Sequence, residues 1–427
     1  MTEEKNCLDS IRKCGILGVS RIAAQIKDAS VIIHGPKGCV LPAYEASLTN
    51  PLSISYTEMC RETTVFGGED DIAYKIRMEY FTNNPGIIVL ISSCASEIIG
   101  DDIKGVIYSL ELEVPIVTVE GGSFINDHIS GSNTAMERFV HELGGPRNEN
   151  SEVVNIIPPV EKYSGWKDDG ANLVKLLGEF GISARVLFCG ADVDDIRNYP
   201  SAALNVIIDR EYGMKLAEYM KEEYGIPYIS CGYPIGLEAT DMFVSSILRA
   251  LGRESRETDE KRNMLLDEVR QSFRNGLGRV TTFRYLEEIR SKKKIIVGNY
   301  DTSEAFLRFL VKEFDDNVET VIVKASGSDD NTGLKNRLKE ISQATDAIFT
   351  DDRSEIIDHI RSHDYDVILG SDTEYLAAHG GKAFAYINVE YPWARKIGFM
   401  PDGFAGYEGL LRFIEVYYNK IADKFDF

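Results

Sequence analysis

The sequence predicts an α/β protein made of three doubly wound, Rossmann-like domains with mainly parallel sheets. Short apolar runs alternate along the chain with amphipathic stretches of helical period, as strands joined by crossover helices do. Many of the runs are continuous in Val, Ile and Leu, which is typical of strands that a parallel sheet buries on both faces. Twelve such runs are too many for one compact sheet of this kind. We therefore expect three sheets.

The expected strands and helices follow one another in a regular order. The predicted strands are 29–33, 87–92, 116–119, 153–157, 185–189, 204–208, 228–230, 294–297, 320–323, 347–350, 367–369 and 384–389. Helical patterns between them include 214–224, 302–313 and 353–363. Two domain boundaries are indicated. The first lies in the proline-containing segment 146–159, and the second lies between the charge-dense stretch 252–262 and Gly276. They divide the chain into predicted domains 1–150, 151–275 and 276–427.

Composition excludes several classes of function. Of the 427 residues, 68 are Asp or Glu and 47 are Lys or Arg, which gives a net charge of −21. This charge would repel nucleic acid and anionic membrane surfaces, so we expect neither as a partner. No basic, apolar leader and no apolar run of about 20 residues is present, and we expect a cytoplasmic protein. P-loop, Gly-x-Gly-x-x-Gly, Cys-x-x-Cys and His-Glu-x-x-His motifs are absent from the sequence.

Three of the seven cysteines stand where ligands collect in α/β proteins. Cys39 closes a Gly-rich turn after the first predicted strand, and Cys94 follows the strand at 87–92. In doubly wound sheets, ligands bind at the carboxyl ends of strands, and thiolates on such loops suit iron–sulfur clusters. Cys14 lies at a third loop boundary. The alternative for each cysteine by itself is a small packing residue.

Two other clusters have a metal-binding interpretation and a simpler structural one. His359 and His363 lie four residues apart on a predicted helix, and Asp192, Asp194 and Asp195 follow a predicted strand. For the aspartates, a capped turn between strand and helix is the favoured interpretation.

Four segments resemble the nitrogenase component 1 family. His34–Cys39 (His-Gly-Pro-Lys-Gly-Cys) is similar to the second cluster-cysteine motif of that family, and Thr57–Glu69 is similar to its segment ending in Val-Phe-Gly-Gly. Ser93–Asp102 resembles its third motif, and Cys14, placed 25 residues before Cys39, resembles the first cluster cysteine. Similarity continues through the middle of the chain to a beta-type ending at Gly406–Gly409.

The resemblance implies a cofactor shared with a partner. Cys14, Cys39 and Cys94 would hold an iron–sulfur cluster, [8Fe-7S] or [4Fe-4S], at an interface with a second component 1 chain. Ser123 would be a further ligand on oxidation if the cluster is of the large type. Cys60 is an alternative fourth ligand, and a buried thiol at a helix start is the favoured alternative for it. Cys7, Cys189 and Cys231 are interpreted as packing residues.

Departures from the alpha-type pattern bear on catalysis. Asp209 stands where an alpha chain would have its cofactor cysteine, and Lys396 or a neighbour stands in the region of the cofactor histidine. Because a carboxylate is a poor substitute for a thiolate on a sulfide cluster, we expect no such cofactor on this chain.

The expected function is that of a beta-type subunit of a nitrogenase-like reductase. Its partners would be an alpha-type chain, in a heterotetramer or alternatively a homodimer, and an ATP-hydrolysing iron protein with a [4Fe-4S] cluster. One alternative is a scaffold subunit on which a metal cofactor matures. A tetrapyrrole reductase subunit is a further, less favoured alternative, and a cluster-free binding protein is the simplest one.

Overall fold

The structure, a computed structural model, describes residues 14–48, 50–122, 127–277, 283–325, 331–393 and 400–425. It confirms the predicted fold class, because its strands form three parallel sheets. The strands are β1 Ala29–His34, β2 Ser53–Tyr56, β3 Ile87–Ser92, β4 Ile116–Glu120, β5 Val154–Ile157, β6 Ala184–Val186, β7 Leu204–Ile207, β8 Tyr228–Ser230, β9 Lys294–Gly298, β10 Thr320–Val323, β11 Asp346–Phe349, β12 Val367–Gly370 and β13 Ala385–Asn388.

Helices connect these strands, as the crossover geometry of parallel sheets requires. They are α1 Gly15–Ala23, α2 Leu41–Ser47, α3 Arg61–Phe66, α4 Glu69–Asn83, α5 Cys94–Ile99, α6 Ile103–Leu110, α7 His128–Leu143, α8 Trp166–Glu179, α9 Val193–Asn198, α10 Arg210–Tyr224, α11 Leu237–Ala250, α12 Arg256–Leu277, α13 Phe283–Arg290, α14 Tyr300–Arg308, α15 Asn331–Ile341, α16 Arg353–Ser362, α17 Asp372–Ala378 and α18 Gly406–Ala422.

The N-terminal sheet has the strand order β2-β1-β3-β4, and all of its pairs are parallel. Every residue of β1 and β3 is buried, which agrees with their continuous apolar sequences. The two strands end together, with His34 of β1 opposite Ser92 of β3. This register brings the loops that follow both strands to the same edge of the sheet.

The other two sheets have the orders β6-β5-β7-β8 and β11-β10-β9-β12-β13. In both, a strand order that is not the order along the chain requires crossover connections. The carboxyl ends of β7 and β9 lead into Asp209 and Asn299.

The strand predictions were wrong in two places. β2 was missed, because its sequence Ser-Ile-Ser-Tyr is half polar and only half-buried at the edge of the sheet. The run at 185–189 is a strand only at its start, since β6 ends at Val186. Phe188 has a φ of 49°, and a left-handed residue cannot continue an extended strand.

The helix predictions were confirmed in position, and two of the three began too late. The prediction at 353–363 ran one residue past α16, which ends at Ser362. The predicted helix at 302–313 begins at Tyr300, because the side chain of Asn299 accepts a hydrogen bond from the N–H of Thr302 and caps it. Much of the charged stretch at 252–262 belongs to α12, where the ion pair of Arg256 with Glu260 is of the i, i+4 kind.

Two compact units account for the packing of the chain. The first comprises Met1–Val160, Val186–Asn205 and Glu211–Tyr228, and the second comprises Glu161–Arg185, Val206–Arg210 and Ile229–Phe427. The two boundaries that divide the chain into three predicted domains stay a prediction. Among the helices that the structure describes, none has the length and apolar character needed to cross a membrane.

Candidate functional site

Cys14, Cys39 and Cys94 lie on three separate elements of the first compact unit. Cys14 immediately precedes α1. Cys39 lies in the helical turn Lys37–Val40 that follows β1, and Cys94 begins α5, two residues beyond β3. All three side chains are partly exposed. We call these three residues the cysteine edge.

Cys14, Cys39 and Cys94 lie close enough together for neighbouring cysteines to influence the ionisation of Cys14 and Cys39. Burial raises the pKa of the Cys14 thiol, and the charge of Cys94 raises it further. Burial likewise raises the pKa of Cys39, with additional contributions from Cys14 and Cys94. Three separate sequence motifs therefore converge at one edge of the sheet.

Local dipoles act in the opposite direction and favour the thiolates. The backbone N–H groups of Ile16 and Leu17, at the start of α1, lower the pKa of Cys14. The hydroxyl of Ser93 has the same effect on Cys39. These are the kinds of groups that stabilise a negatively charged sulfur ligand.

Close backbone packing fixes the loop that carries Cys39. A Cβ atom on Gly35 would lie 2.4 Å from Oγ of Ser93, so only glycine fits where the two cysteine loops meet. The N–H of Ser93 donates to the carbonyl of His34 at 3.0 Å, and its side chain accepts from Ser96 and caps α5. Sequence reasoning did not single out Ser93, although it directly precedes Cys94.

Glu97 connects the loop after β4 to the same edge. Its carboxylate accepts hydrogen bonds from the hydroxyl of Ser92 at 2.8 Å and from the N–H of Gly122 at 2.9 Å. Sequence reasoning missed this role as well, since a lone Glu on a helix gives no signal. The predicted ligand Ser123 lies outside the described residues.

The donor set fits an iron–sulfur cluster better than a single ion. Within the described residues, no three His, Cys, Asp or Glu side chains form a group that could hold one metal ion. A cluster places its thiolates on different irons, so it does not need ligands that meet at a point. Three partly buried thiols without a polar cage of oxygen ligands suit that chemistry.

The remaining cysteines lie in different surroundings. Cys60 caps the start of α3 as predicted, but it is exposed, which corrects the interpretation as a buried thiol. Its S–H donates to Glu62 at 3.0 Å. Cys189 and Cys231 are partly exposed, and burial raises the pKa of Cys231 to about 12. Cys7 lies outside the described residues.

Asp209 is engaged by the protein's own groups. It is buried and forms an ion pair with the amino group of Lys162, which is buried too. The side chain of Asn299 donates to Asp209 at 2.9 Å and accepts from Lys162 at 2.6 Å. We call Lys162, Asp209 and Asn299 the carboxylate cluster. Lys396, the other departure from the alpha-type pattern, lies outside the described residues.

The aspartate cluster forms the predicted capped turn, and His359 and His363 lie at the end of α16. Asp192 caps α9 by accepting from the N–H of Asp195 at 2.9 Å. The rings of His359 and His363 stack with centroids 4.2 Å apart, and His359 also bonds the hydroxyl of Tyr365 at 2.8 Å.

The fold and the cysteine edge together define a class of α/β proteins that present thiols at the carboxyl edge of a parallel sheet. The chain belongs to the nitrogenase component 1 type oxidoreductase family, whose model matches residues 14–422. The resemblance drawn from the cysteine motifs is thereby confirmed.

Relatives of several functions share this similarity. The chain is 24% identical to the nitrogenase molybdenum-iron protein beta chain of Methanococcus maripaludis over 99% of its own length and 96% of that protein. It is 21% identical to a subunit of the light-independent protochlorophyllide reductase of Leptolyngbya boryana over 95% of the chain and 82% of that protein. It is 27% identical to the nitrogenase iron-molybdenum cofactor biosynthesis protein NifE of Clostridium pasteurianum over 95% of the chain and 86% of that protein.

A solved structure supports the fold. Nitrogenase Cp1 at pH 6.5 superposes with a TM-score of 0.78 at 20% identity, covering 96% of this chain and 92% of that one.

Proposed function

We propose that this chain is the beta-type subunit of a cytoplasmic nitrogenase-like reductase. Cys14, Cys39 and Cys94 would bind an iron–sulfur cluster, [8Fe-7S] or [4Fe-4S], at an interface with a second component 1 chain. An ATP-hydrolysing iron protein would deliver electrons to this pair. Ser123 would be an additional ligand in the case of the large cluster.

One observation carries the proposal: Cys14, Cys39 and Cys94 come from three distant motifs, and burial together with neighbouring cysteines raises the pKa of Cys14 and of Cys39. Such repulsion is unfavourable for three thiolates unless positive charge lies among them. Iron would supply that charge, and the bound cluster would accept and release single electrons.

The chain's own residues would then tune and protect that site. Ser93 and the N–H groups of Ile16 and Leu17 face the sulfurs and stabilise negative charge on them. Partial burial of the cysteines limits the access of water. Both properties influence a cluster's reduction potential.

A second chain is needed because three thiolates leave a cluster with four ligand positions one short. The first compact unit also exposes large apolar side chains that a partner would cover. Phe66 is 86% exposed, Ile98 is 73% exposed and Tyr108 is 88% exposed. An alpha-type chain would give a heterotetramer, whereas a second copy of this chain would give a homodimer.

Substrate reduction would take place on the partner chain or in a shared cavity. Asp209, which aligns with the cofactor cysteine of alpha chains, already has Lys162 and Asn299 as partners. A residue held in this way is poorly suited to bind a metal cofactor.

Anaerobic affinity purification of the full chain tests the proposal. We expect the chain to retain iron and acid-labile sulfide and to copurify with a second component 1 chain. Addition of the iron protein, ATP and a reductant should reduce the oxidised cluster. Absence of iron from protein kept strictly anaerobic would eliminate the proposal.

A maturation scaffold is the second candidate, and the similarity to NifE favours it. A scaffold would also bind clusters, but it would release a metal cofactor to another protein and would not turn over substrate. The companion chain discriminates between the two: an alpha-type partner with the cofactor Cys and His favours the reductase.

A tetrapyrrole reductase subunit stays the less favoured alternative, with protochlorophyllide as the substrate to try first.

A further inference from the structure

A buried histidine connects the motifs of the cysteine edge, and the proposed function does not use it. His34 is the last residue of β1. Its Nδ1 lies 3.0 Å from Oγ1 of Thr57, and its Nε2 lies 2.7 Å from Oδ2 of Asp101. The side chains of His34 and Asp101 are each 1% exposed, and Thr57 is buried. The three residues therefore form a network that is sealed from water.

Backbone groups complete this network. The second oxygen of Asp101 accepts from the N–H of Gly68 at 2.9 Å, and Oγ1 of Thr57 accepts from the N–H of Gly35 at 3.2 Å. A Cβ atom on Gly68 would lie 2.8 Å from Cε1 of His34, so the backbone there packs directly on the imidazole. All three sequence motifs after β1, β2 and β3 meet at one side chain.

The acceptors around His34 place one proton on its imidazole. With Asp101 accepting at both oxygens, the N–H of His34 lies on Nε2 and donates to it. Thr57 accepts from Gly35 and so can donate its hydroxyl proton to Nδ1 of His34.

The network holds both ends of the helix that carries Cys94. Ser93 fixes the start of α5, and Asp101 lies two residues beyond its end at Ile99. A helix of six residues is only about 9 Å long, so it moves as one piece. A shift at Asp101 would therefore displace Cys94, and a shift at Gly35 would displace the turn that carries Cys39.

We propose that His34 is a positioning residue which, through Asp101 and Thr57, sets Cys39 relative to Cys94. The proposal rests on the proposed function only in naming an iron–sulfur cluster as the group that this spacing serves. The positioning of Cys39 relative to Cys94 by His34 applies to the full chain whether or not iron is bound.

The test compares three variants with two controls. Thr57→Val removes the hydroxyl with little change in shape, Asp101→Asn removes the carboxylate, and His34→Asn removes both contacts of the imidazole. Thr57→Ser keeps the hydroxyl and should restore wild-type behaviour. Asp169→Asn removes a buried carboxylate in the other compact unit and controls for general destabilisation.

Site-specific alkylation of the iron-free full chain gives the first readout. We expect Cys39 and Cys94 to react about fivefold faster in Thr57→Val and Asp101→Asn, as loss of one buried hydrogen bond predicts for local opening. Exposed Cys60 is the internal reference, and its rate should not change. Rates equal to wild type, or the same increase in Asp169→Asn, would overturn the proposal.

The anaerobically purified complex gives the second readout. Thr57→Val and Asp101→Asn should change the cluster's paramagnetic signal, whereas Thr57→Ser and Asp169→Asn should not. If His34→Asn does not fold, the Thr57 pair decides the result. A wild-type chain without iron would defeat the proposed function, and the alkylation rates would still decide whether His34 positions the two cysteines.

Discussion

The cysteine edge and the carboxylate cluster both lie where loops leave the carboxyl ends of parallel strands, but their electrostatics are opposite. At the cysteine edge, Cys14 and Cys39 are raised in pKa by burial and by neighbouring sulfurs. In the carboxylate cluster, the acidic group Asp209 has the ammonium of Lys162 beside it. The thiols of the cysteine edge are stable in their charged form only when a cation is added. The carboxylate cluster already contains a cation, the ammonium of Lys162.

This difference separates a binding site from a structural one. A buried charge is stable when it is paired and hydrogen-bonded, and Asp209 meets both conditions. Acidic groups that crowd together are stable in their charged form only with a metal or another cation. Comparison of the two clusters therefore supports the proposal that the cysteine edge, and not the carboxylate cluster, binds a cofactor.

Loss of a single thiol should have the largest effect. Cys39→Ala and Cys94→Ala are each expected to abolish the iron content and the absorption and paramagnetic signals of the anaerobically purified complex. In the proposed site these thiolates would hold the irons directly, and no neighbouring group would replace them. Cys189→Ala is the matched control and should keep all three signals. If all three variants lost the cluster equally, the assignment of Cys39 and Cys94 would fail.

Removing the cation of the carboxylate cluster should have the second-largest effect, a loss of stability. Lys162→Met leaves Asp209 buried without its cation, and we expect a loss of about 3–5 kcal/mol in the free energy of unfolding. Urea denaturation measures it. The control is Lys175→Met, which breaks an ion pair between the side chains of Lys175 and Glu408, 65% and 62% exposed, and it should cost far less than Lys162→Met. Equal losses in both variants would mean that Asp209 does not depend on Lys162.

A second buried carboxylate, that of Asp169, extends the comparison because its hydrogen-bond partners are neutral. Asp169 accepts hydrogen bonds from the hydroxyls of Tyr163 and Tyr233 and from the N–H groups of Phe404 and Ala405. Burial raises its pKa to about 6, despite these four donors. In having a pKa that burial raises, Asp169 resembles Cys14 and Cys39, whereas Asp209 has a cationic partner.

The raised pKa of Asp169 predicts a pH dependence of stability. Between about pH 4 and pH 6 the unfolded chain loses this proton while the folded chain keeps it, so stability falls as the pH rises. A difference of roughly two pKa units corresponds to about 3 kcal/mol. Urea denaturation at a series of pH values should show a flatter profile for Asp169→Asn than for wild type. Identical slopes would contradict the prediction.

Much of the cysteine edge could be predicted from the sequence, because its signals are local. Glycine-rich turns and the positions of Cys39 and Cys94 after apolar strands are visible in short segments. The partners of Asp209 could not be predicted, since Lys162 lies 47 residues from Asp209 and 137 residues from Asn299 along the chain. Likewise, the edge strand β2 lacks the apolar pattern that identified β1 and β3.

Cys60 should show the smallest effect, and it tests the limits of the cysteine edge. Its thiol is exposed and donates to Glu62 rather than facing the other cysteines. We expect Cys60→Ala to keep the iron content and the cluster signals of the wild-type complex and to change the free energy of unfolding by less than about 0.5 kcal/mol. In the native complex, Cys60 should also be alkylated faster than Cys39 or Cys94. A loss of iron as complete as that of Cys94→Ala would instead identify Cys60 as the missing fourth ligand, and a second chain would no longer be needed to complete a four-iron cluster.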